Sequence, residues 1–147
     1  ILQSRGIPLA VNQVRYSLLD RIIENQGILA TARELGITIL AYSPLAQGLL
    51  TGKYTPNEPP DGARRLDKRF SASGLQEIAP VLDALEELSQ TYQKSSAQIA
   101  LNWLVAQEGV IPIPGAKNAS QAHSNAGALG WRLKEEDWQL LEKITRS

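Results

Sequence analysis

Strand-like and helix-like stretches take turns along this chain, and that alternation constrains the fold more than any other feature of the sequence. An extended segment from Pro8 to Tyr16, introduced by the turn residues Gly6 and Pro8 and centred on Ala10-Val-Asn-Gln-Val14, reads as a first strand. Ile28, Leu29, Ala32 and Leu35 recur at helical spacing, Gly36 stops that helix, and Ile37 to Ala41 reads as a second, largely buried strand. Val110 to Ile113, after the stop at Gly109, reads as a third. Strands separated by helical crossovers run parallel, so the expected fold is α/β with about three parallel strands.

The connecting segments carry their own signals. Ser43 to Gly74 is a long irregular stretch rich in Pro and Gly with Arg64, Arg65, Lys68 and Arg69, and a loop of that length in a compact domain is usually functional or disordered. Ile78, Val81, Leu82, Leu85, Leu88 and Tyr92 mark one face of a helix, with Pro80 tolerable in its first turn. Ser95 and Gln98 form a capping box for a helix carrying Ile99, Ala100, Trp103 and Leu104. Asn118 opens a helix bearing Ala122, Ala126 and Leu129, and a last helix from about Lys134 buries Trp138, Leu141 and Ile144. No repeat, low-complexity tract or linker divides residues 1–147, which read as one domain.

Three parallel strands are few, because both outer ones expose unpaired backbone unless other strands cover them. The chain is therefore expected to be incomplete, and Ile1 to Arg5 has the look of a helix tail already in progress. A small open sheet closed by self-association gives the same pattern.

Composition removes several function classes. With 147 residues and 43% hydrophobic content there is enough apolar material for a core. Fifteen basic and fifteen acidic side chains cancel, which leaves no electrostatic case for general nucleic-acid or membrane binding. Without cysteine, thiolate catalysis and thiolate metal sites are excluded, and one histidine, His123, makes no metal cluster and is given no role. No signal peptide or spanning run is visible, so the expected location is cytoplasmic, or an organellar stroma if an upstream transit peptide exists.

Two segments join a strand to a glycine-containing loop with a lysine. In Ile111-Pro-Ile-Pro-Gly-Ala-Lys-Asn118, Gly115 is expected to allow a turn that side chains would obstruct. Asn118 can cap the next helix with Gln121, and Lys117 adds charge beside the helix N-terminus. This pattern fits an ordinary strand-to-helix turn as well as a phosphate site. The second segment runs from Ile39 through Tyr42-Ser-Pro-Leu-Ala-Gln-Gly48 to Lys53, and two such loops suggest one shared ligand. Its tail looks superficially like a nucleotide P-loop, but that pattern needs glycine at Gln47 and a hydroxyl at Tyr54, which excludes an NTPase of that type.

On these motifs the chain resembles the C-terminal half of an aldo-keto reductase, nearest the branch that includes the voltage-gated potassium channel beta subunits and bacterial or plant relatives. Val11-Asn-Gln-Val-Arg-Tyr16 is similar to the family's sixth barrel strand. Ala41-Tyr-Ser-Pro-Leu45 with Leu49-Leu-Thr-Gly-Lys53 is similar to its seventh, and Ile111 to Asn125 to its eighth strand and the helix beyond. The resemblance implies the C-terminal part of a (β/α)8 TIM barrel with its ligand at the C-terminal strand ends. It implies NADP(H) as cofactor and a small-molecule carbonyl compound as substrate.

By this resemblance Gln13 bonds the nicotinamide carboxamide and Tyr42 lies on the nicotinamide ring. Ser43, Pro44, Leu45, Ala46 and Gln47 follow the ribose and pyrophosphate, with Lys53 and Arg64 reaching phosphate, a place that Arg65 would serve equally well. Gly115, Lys117, Gln121, Ser124 and Asn125 take the adenosine side, Lys117 pairing with the 2′-phosphate that separates NADP from NAD. Ser124 departs from the family pattern, where an acidic residue is common. Each residue also has a purely structural reading, such as Tyr42 packing at a barrel rim or Gln13 satisfying backbone groups; convergence of separate loops favours the cofactor.

The resemblance places the family's catalytic tyrosine, aspartate, lysine and histidine before Ile1, so no catalytic residue is assigned, and neither Tyr16 nor Tyr42 is expected to donate the proton. The expected function is the cofactor-binding part of an NADP(H)-dependent reductase acting on an aldehyde or ketone. Alternatives are a non-catalytic nucleotide-binding regulatory subunit and a truncated product without independent activity. Partner expectations are a missing N-terminal half or self-association.

Overall fold

The computed structural model describes residues 5–55, 60, 62 and 66–146. Three strands, β1 (Val11–Arg15), β2 (Thr38–Tyr42) and β3 (Val110–Ile113), lie side by side in the order β1-β2-β3, both pairs parallel. The second strand sits one residue later than the sequence suggests, so that Tyr42 ends it. Helices make the crossovers: α1 (Ile22–Asn25) and α2 (Ile28–Glu34) between the first two strands, then α3 (Ala72–Glu77), α4 (Ala79–Tyr92) and α5 (Ser96–Val105) before the third. After β3 come α6 (Ala119–Ala126) and α7 (Glu135–Thr145).

Parallel register decides which side chains share a face. Ile39, Ala41 and Val110 point to the helical side and are buried with Leu29, Ala32, Leu85, Leu88, Ile99, Trp103, Leu104 and Leu141. The opposite face carries Gln13 beside Leu40 and Ile111, and Arg15 beside Tyr42 and Ile113. It is open: Val11, Tyr42, Ile111 and Ile113 are 39–52% exposed. A parallel sheet is normally covered on both faces, and here one face is open.

Local chemistry sets the helix ends. Ser95 accepts a hydrogen bond from the Gln98 N–H (3.2 Å) while Gln98 Oε1 accepts from the Ser95 N–H (3.0 Å), the expected capping box. Pro80 falls in the first turn of α4, where it displaces no hydrogen bond. α4 meets α7 at the Tyr92 hydroxyl, which donates to Asp137 and accepts from the Lys134 N–H (2.9 Å).

Part of the stretch from Ser43 to Gly74, expected to be irregular, is ordered. Two short 3-10 turns joined by a kink at Gln47 and Gly48 span Ala46–Thr51, another spans Lys68–Phe70, and α3 begins at Ala72, capped by Ser71 Oγ accepting from the Gly74 N–H (3.1 Å). Gly74 passes so close to the preceding turn that a Cβ on it would sit 2.3 Å from the Lys68 carbonyl oxygen. At the other end, α6 stops at Ala126 and leaves Leu129, expected to lie on it, 59% exposed beyond. Ala122, Ala126 and Leu129 line a groove of about 430 Å³ with Leu101, Val105 and Ile111 instead of entering the core. Trp138 and Ile144 on α7 are half-buried and Leu141 fully buried. The expected helix tail before Arg5 lies outside the described residues. Among the described residues no helix is long and apolar enough to cross a membrane.

Candidate nucleotide site

The three strands finish level, Arg15 beside Tyr42 and Tyr42 beside Ile113 in register. Their loops therefore leave from one edge of the sheet, within a few strand spacings of about 4.8 Å of one another. Gln13 is exposed one layer below that edge, and the Tyr42 ring is 41% exposed at it.

The loop after β2 is bent by an unusual run of left-handed backbone. Ser43, Ala46 and Gln47 have φ of 51°, 47° and 59°, and Gly48 follows at 100°. Non-glycine residues there each cost on the order of 1–3 kcal/mol and persist only where their surroundings enforce them. The enforcement is visible: Pro44, Ala46, Leu49 and Leu50 are buried, and the Gly48 N–H donates to the Leu45 carbonyl (2.8 Å). Gln47 is left exposed at the outside of the bend. Lys53 is exposed with its Nζ 4.6 Å from the centre of the Tyr54 ring, which meets Phe70 edge-on. Arg64 and Arg65 lie outside the described residues.

The loop after β3 is organised differently. Asn118 Oδ1 accepts from the Gln121 N–H (2.9 Å), the expected cap. Gln121 Oε1 reaches one residue further back than a capping box requires and accepts from the Lys117 N–H (2.7 Å). Asn125 Nδ2 donates to the Gly115 carbonyl (3.3 Å). No carboxylate stands in the first turn of α6, so nothing opposes an anion at that end, and the Lys117 side chain is exposed beside it.

Gly115 corrects an expectation. Its φ is outside the left-handed region and a Cβ there would meet nothing within 4 Å, so the turn itself does not require glycine. What glycine provides is a bare stretch of backbone next to Lys117.

A second polar group lies away from this edge. The buried Tyr16 hydroxyl donates to Glu24 Oε1 (2.7 Å), Arg21 bonds Glu24 and Glu142 (2.8 and 2.7 Å), and Trp103 Nε1 donates to Glu142 Oε1 (2.9 Å). Burial and the bond to Glu24 push the Tyr16 phenol far above its ordinary value. Burial also pushes the Glu24 carboxyl up, but hydrogen bonds from Arg21 and Tyr16 outweigh this and hold it below the usual range. Among the described residues no group of three or more His, Asp or Glu is placed to hold a metal.

The sequence marks Gln98 only as a cap. In the structure its Nε2 also donates to the Ser124 carbonyl of α6 (2.8 Å). Asn102, buried on α5, likewise donates to the carbonyls of Ala128 and Trp131 (2.9 Å each). Their signal in the sequence was only a polar side chain on a helix expected to pack.

Parallel strands ending level, crossover helices behind them and two polar loops at the carboxyl edge define a segment of a β/α barrel. The chain belongs to the aldo/keto reductase family, whose model matches residues 1–146. It is 41% identical over 141 residues to the chloroplastic pyridoxal reductase of Arabidopsis thaliana, covering 96% of this chain and 38% of that protein. It is 34% identical to the NADH-specific methylglyoxal reductase of Escherichia coli, covering 95% of this chain and 43% of the relative. A glycerol dehydrogenase structure from Gluconobacter oxydans superposes with a TM-score of 0.86 at 31% identity, covering 96% of this chain and 43% of that one. The chain thus spans about two-fifths of the length of these proteins, and the fold is part of a (β/α)8 TIM barrel.

Proposed function

We propose that this chain is the cofactor-binding part of an NADP(H)-dependent aldo-keto reductase. The observation that carries this reading is the junction of β3 and α6: a lysine, a bare glycine backbone and a helix N-terminus free of carboxylates follow directly on Ile113, which is in register with Tyr42 at the end of β2. The residues present fit a dinucleotide. Gln13 offers an exposed amide for the nicotinamide carboxamide and Tyr42 a ring face for stacking. Ser43 to Gln47 offer a bent backbone for ribose and pyrophosphate, with the Lys53 ammonium near it. Lys117 supplies charge for a 2′-phosphate, and Gln121, Ser124 and Asn125 line the adenosine side.

The bound cofactor would supply the hydride for the carbonyl carbon of an aldehyde or ketone. This chain's share is binding and orientation; Tyr16 is committed to Glu24 on the helical side, so the proton comes from outside these residues. The same edge, without the proton donor, also suits a nucleotide-binding regulatory role.

The Escherichia coli relative is an NADH-specific reductase, so the cofactor test compares both nucleotides. Lys117→Glu replaces attraction to the 2′-phosphate by repulsion and is expected to weaken NADPH binding at least about tenfold, or 1.4 kcal/mol, with NADH little changed. Fluorescence titration of both reads this out. Equal losses for the two would remove Lys117 from the 2′-phosphate, and no binding of either nucleotide by the unaltered chain would remove the cofactor reading.

A further inference from the structure

The helix that carries the adenosine-side residues is held in an unusual way. α6 buries none of its own side chains, and its chain is pinned just beyond its end, where the carbonyl of buried Ala128 accepts from Asn102 Nδ2 (2.9 Å). The Asn118 cap and the Asn125–Gly115 bond shape α6 and its own loop but do not attach them to the rest of the fold. Among the described residues, one side-chain hydrogen bond reaches α6 from another helix: Gln98 Nε2, on α5, to the Ser124 carbonyl.

Gln98 uses both ends of its amide. Oε1 is committed to the Ser95 N–H at the start of α5, and this leaves Nε2 aimed at α6. The approach is close: a Cβ on Gly127 would lie 2.2 Å from Gln98 Nε2, so a side chain there would push that amide aside from the Ser124 carbonyl. Two independent features, a directed donor and a missing side chain, thus converge on one joint between α5 and α6.

We propose that Gln98 is a positioning residue for the adenosine half of the dinucleotide: by holding the Ser124 carbonyl it sets where Gln121, Ser124 and Asn125 stand. This rests on the cofactor reading above. Gln98 touches no cofactor itself; it acts through the placement of α6. Because the same amide caps α5, α5 and α6 share one anchor, and a substitution that keeps the cap while removing the donor separates the two roles.

Gln98→Glu does this. A glutamate keeps an oxygen to accept from the Ser95 N–H and suits a helix N-terminus, but its carboxylate cannot donate to the Ser124 carbonyl. The unaltered chain and the variant are titrated with adenosine 2′,5′-bisphosphate and with reduced nicotinamide mononucleotide, and amide exchange is followed across both helices. The bisphosphate is expected to bind the variant about fivefold more weakly, the scale of one lost hydrogen bond, with the mononucleotide unchanged. Exchange should rise over residues 119–126 and not over 96–105, with the thermal midpoint moving less than about 2 °C. Gly127→Ala, which crowds the joint, should shift bisphosphate affinity and α6 exchange in the same direction.

Unchanged bisphosphate affinity in the variant, or equal weakening of both probes, overturns the role of Gln98 while leaving the cofactor reading intact. Failure of the unaltered chain to bind either probe overturns the cofactor reading and the role of Gln98 together.

Discussion

The two loops at the carboxyl edge reach the same place by opposite means. The loop after β2 is clamped from beneath: Ala46, Leu49 and Leu50 are fully buried, and that packing holds three non-glycine residues in left-handed backbone. The segment after β3 rests on the surface, with a helix that buries nothing and is positioned by a few directed hydrogen bonds. The first arrangement gives a rigid shape that resists single changes in polar groups. The second gives a placement that single polar groups control.

The largest expected effect tests the clamp. Leu50→Ala should remove about 2–5 kcal/mol of unfolding free energy, as emptied core sites do, measured by urea denaturation. A loss under about 1 kcal/mol would place the β2 loop in the same class as the β3 loop and dissolve the contrast.

Next in size is the ion cluster behind the sheet, a third style of anchoring. Glu24→Gln should cost about 1–3 kcal/mol, the worth of hydrogen bonds to a charged group. The sign of the pH dependence follows from its depressed carboxyl: the contribution is fully present above the unfolded glutamate value of about 4.3 and is lost as pH falls through the lower folded value. Urea midpoints measured at pH 7 and pH 3 should therefore converge between the parent and Glu24→Gln at the acid end. A constant gap across that range would show that the carboxylate charge is not what Arg21 and Tyr16 hold.

The smallest effects belong to the residues flanking α6. Asn118→Ala should cost about 1 kcal/mol through the lost cap, and Leu129→Ala, at an exposed site, less than about 0.5 kcal/mol. Unfolding curves for the pair would sharpen the comparison. A larger cost at Leu129 than at Asn118 would mean that apolar contact, not capping, positions this segment.

What the sequence disclosed and what it hid divide along the same line. Short-range signals were legible: β3, the Ser95–Gln98 box and the Asn118 cap depend on residues within a turn of each other. The left-handed residues Ala46 and Gln47 were not, because nothing in their propensities calls for that backbone; burial of their neighbours imposes it. α3 was missed because Ala72-Ser-Gly-Leu-Gln-Glu77 has one buried side chain, Leu75, and no apolar period to read. The Arg21–Glu142 pair joins residues 121 apart, a separation that no local pattern encodes. At Gly115 the reading failed the other way, since a glycine in a loop invited a steric explanation that the open space around it refutes.

Gly74 has a consequence for which sequences can carry this fold. Every other residue type brings a Cβ, and that atom would land on the Lys68 carbonyl and within 2.8 Å of the Arg69 backbone, neither of which is a movable side-chain end. Its neighbours Ala72 and Ser73 are exposed and open to replacement. The route from the long loop into α3 thus hangs on one codon that admits no missense change without moving the main chain, directly after two that tolerate exchange.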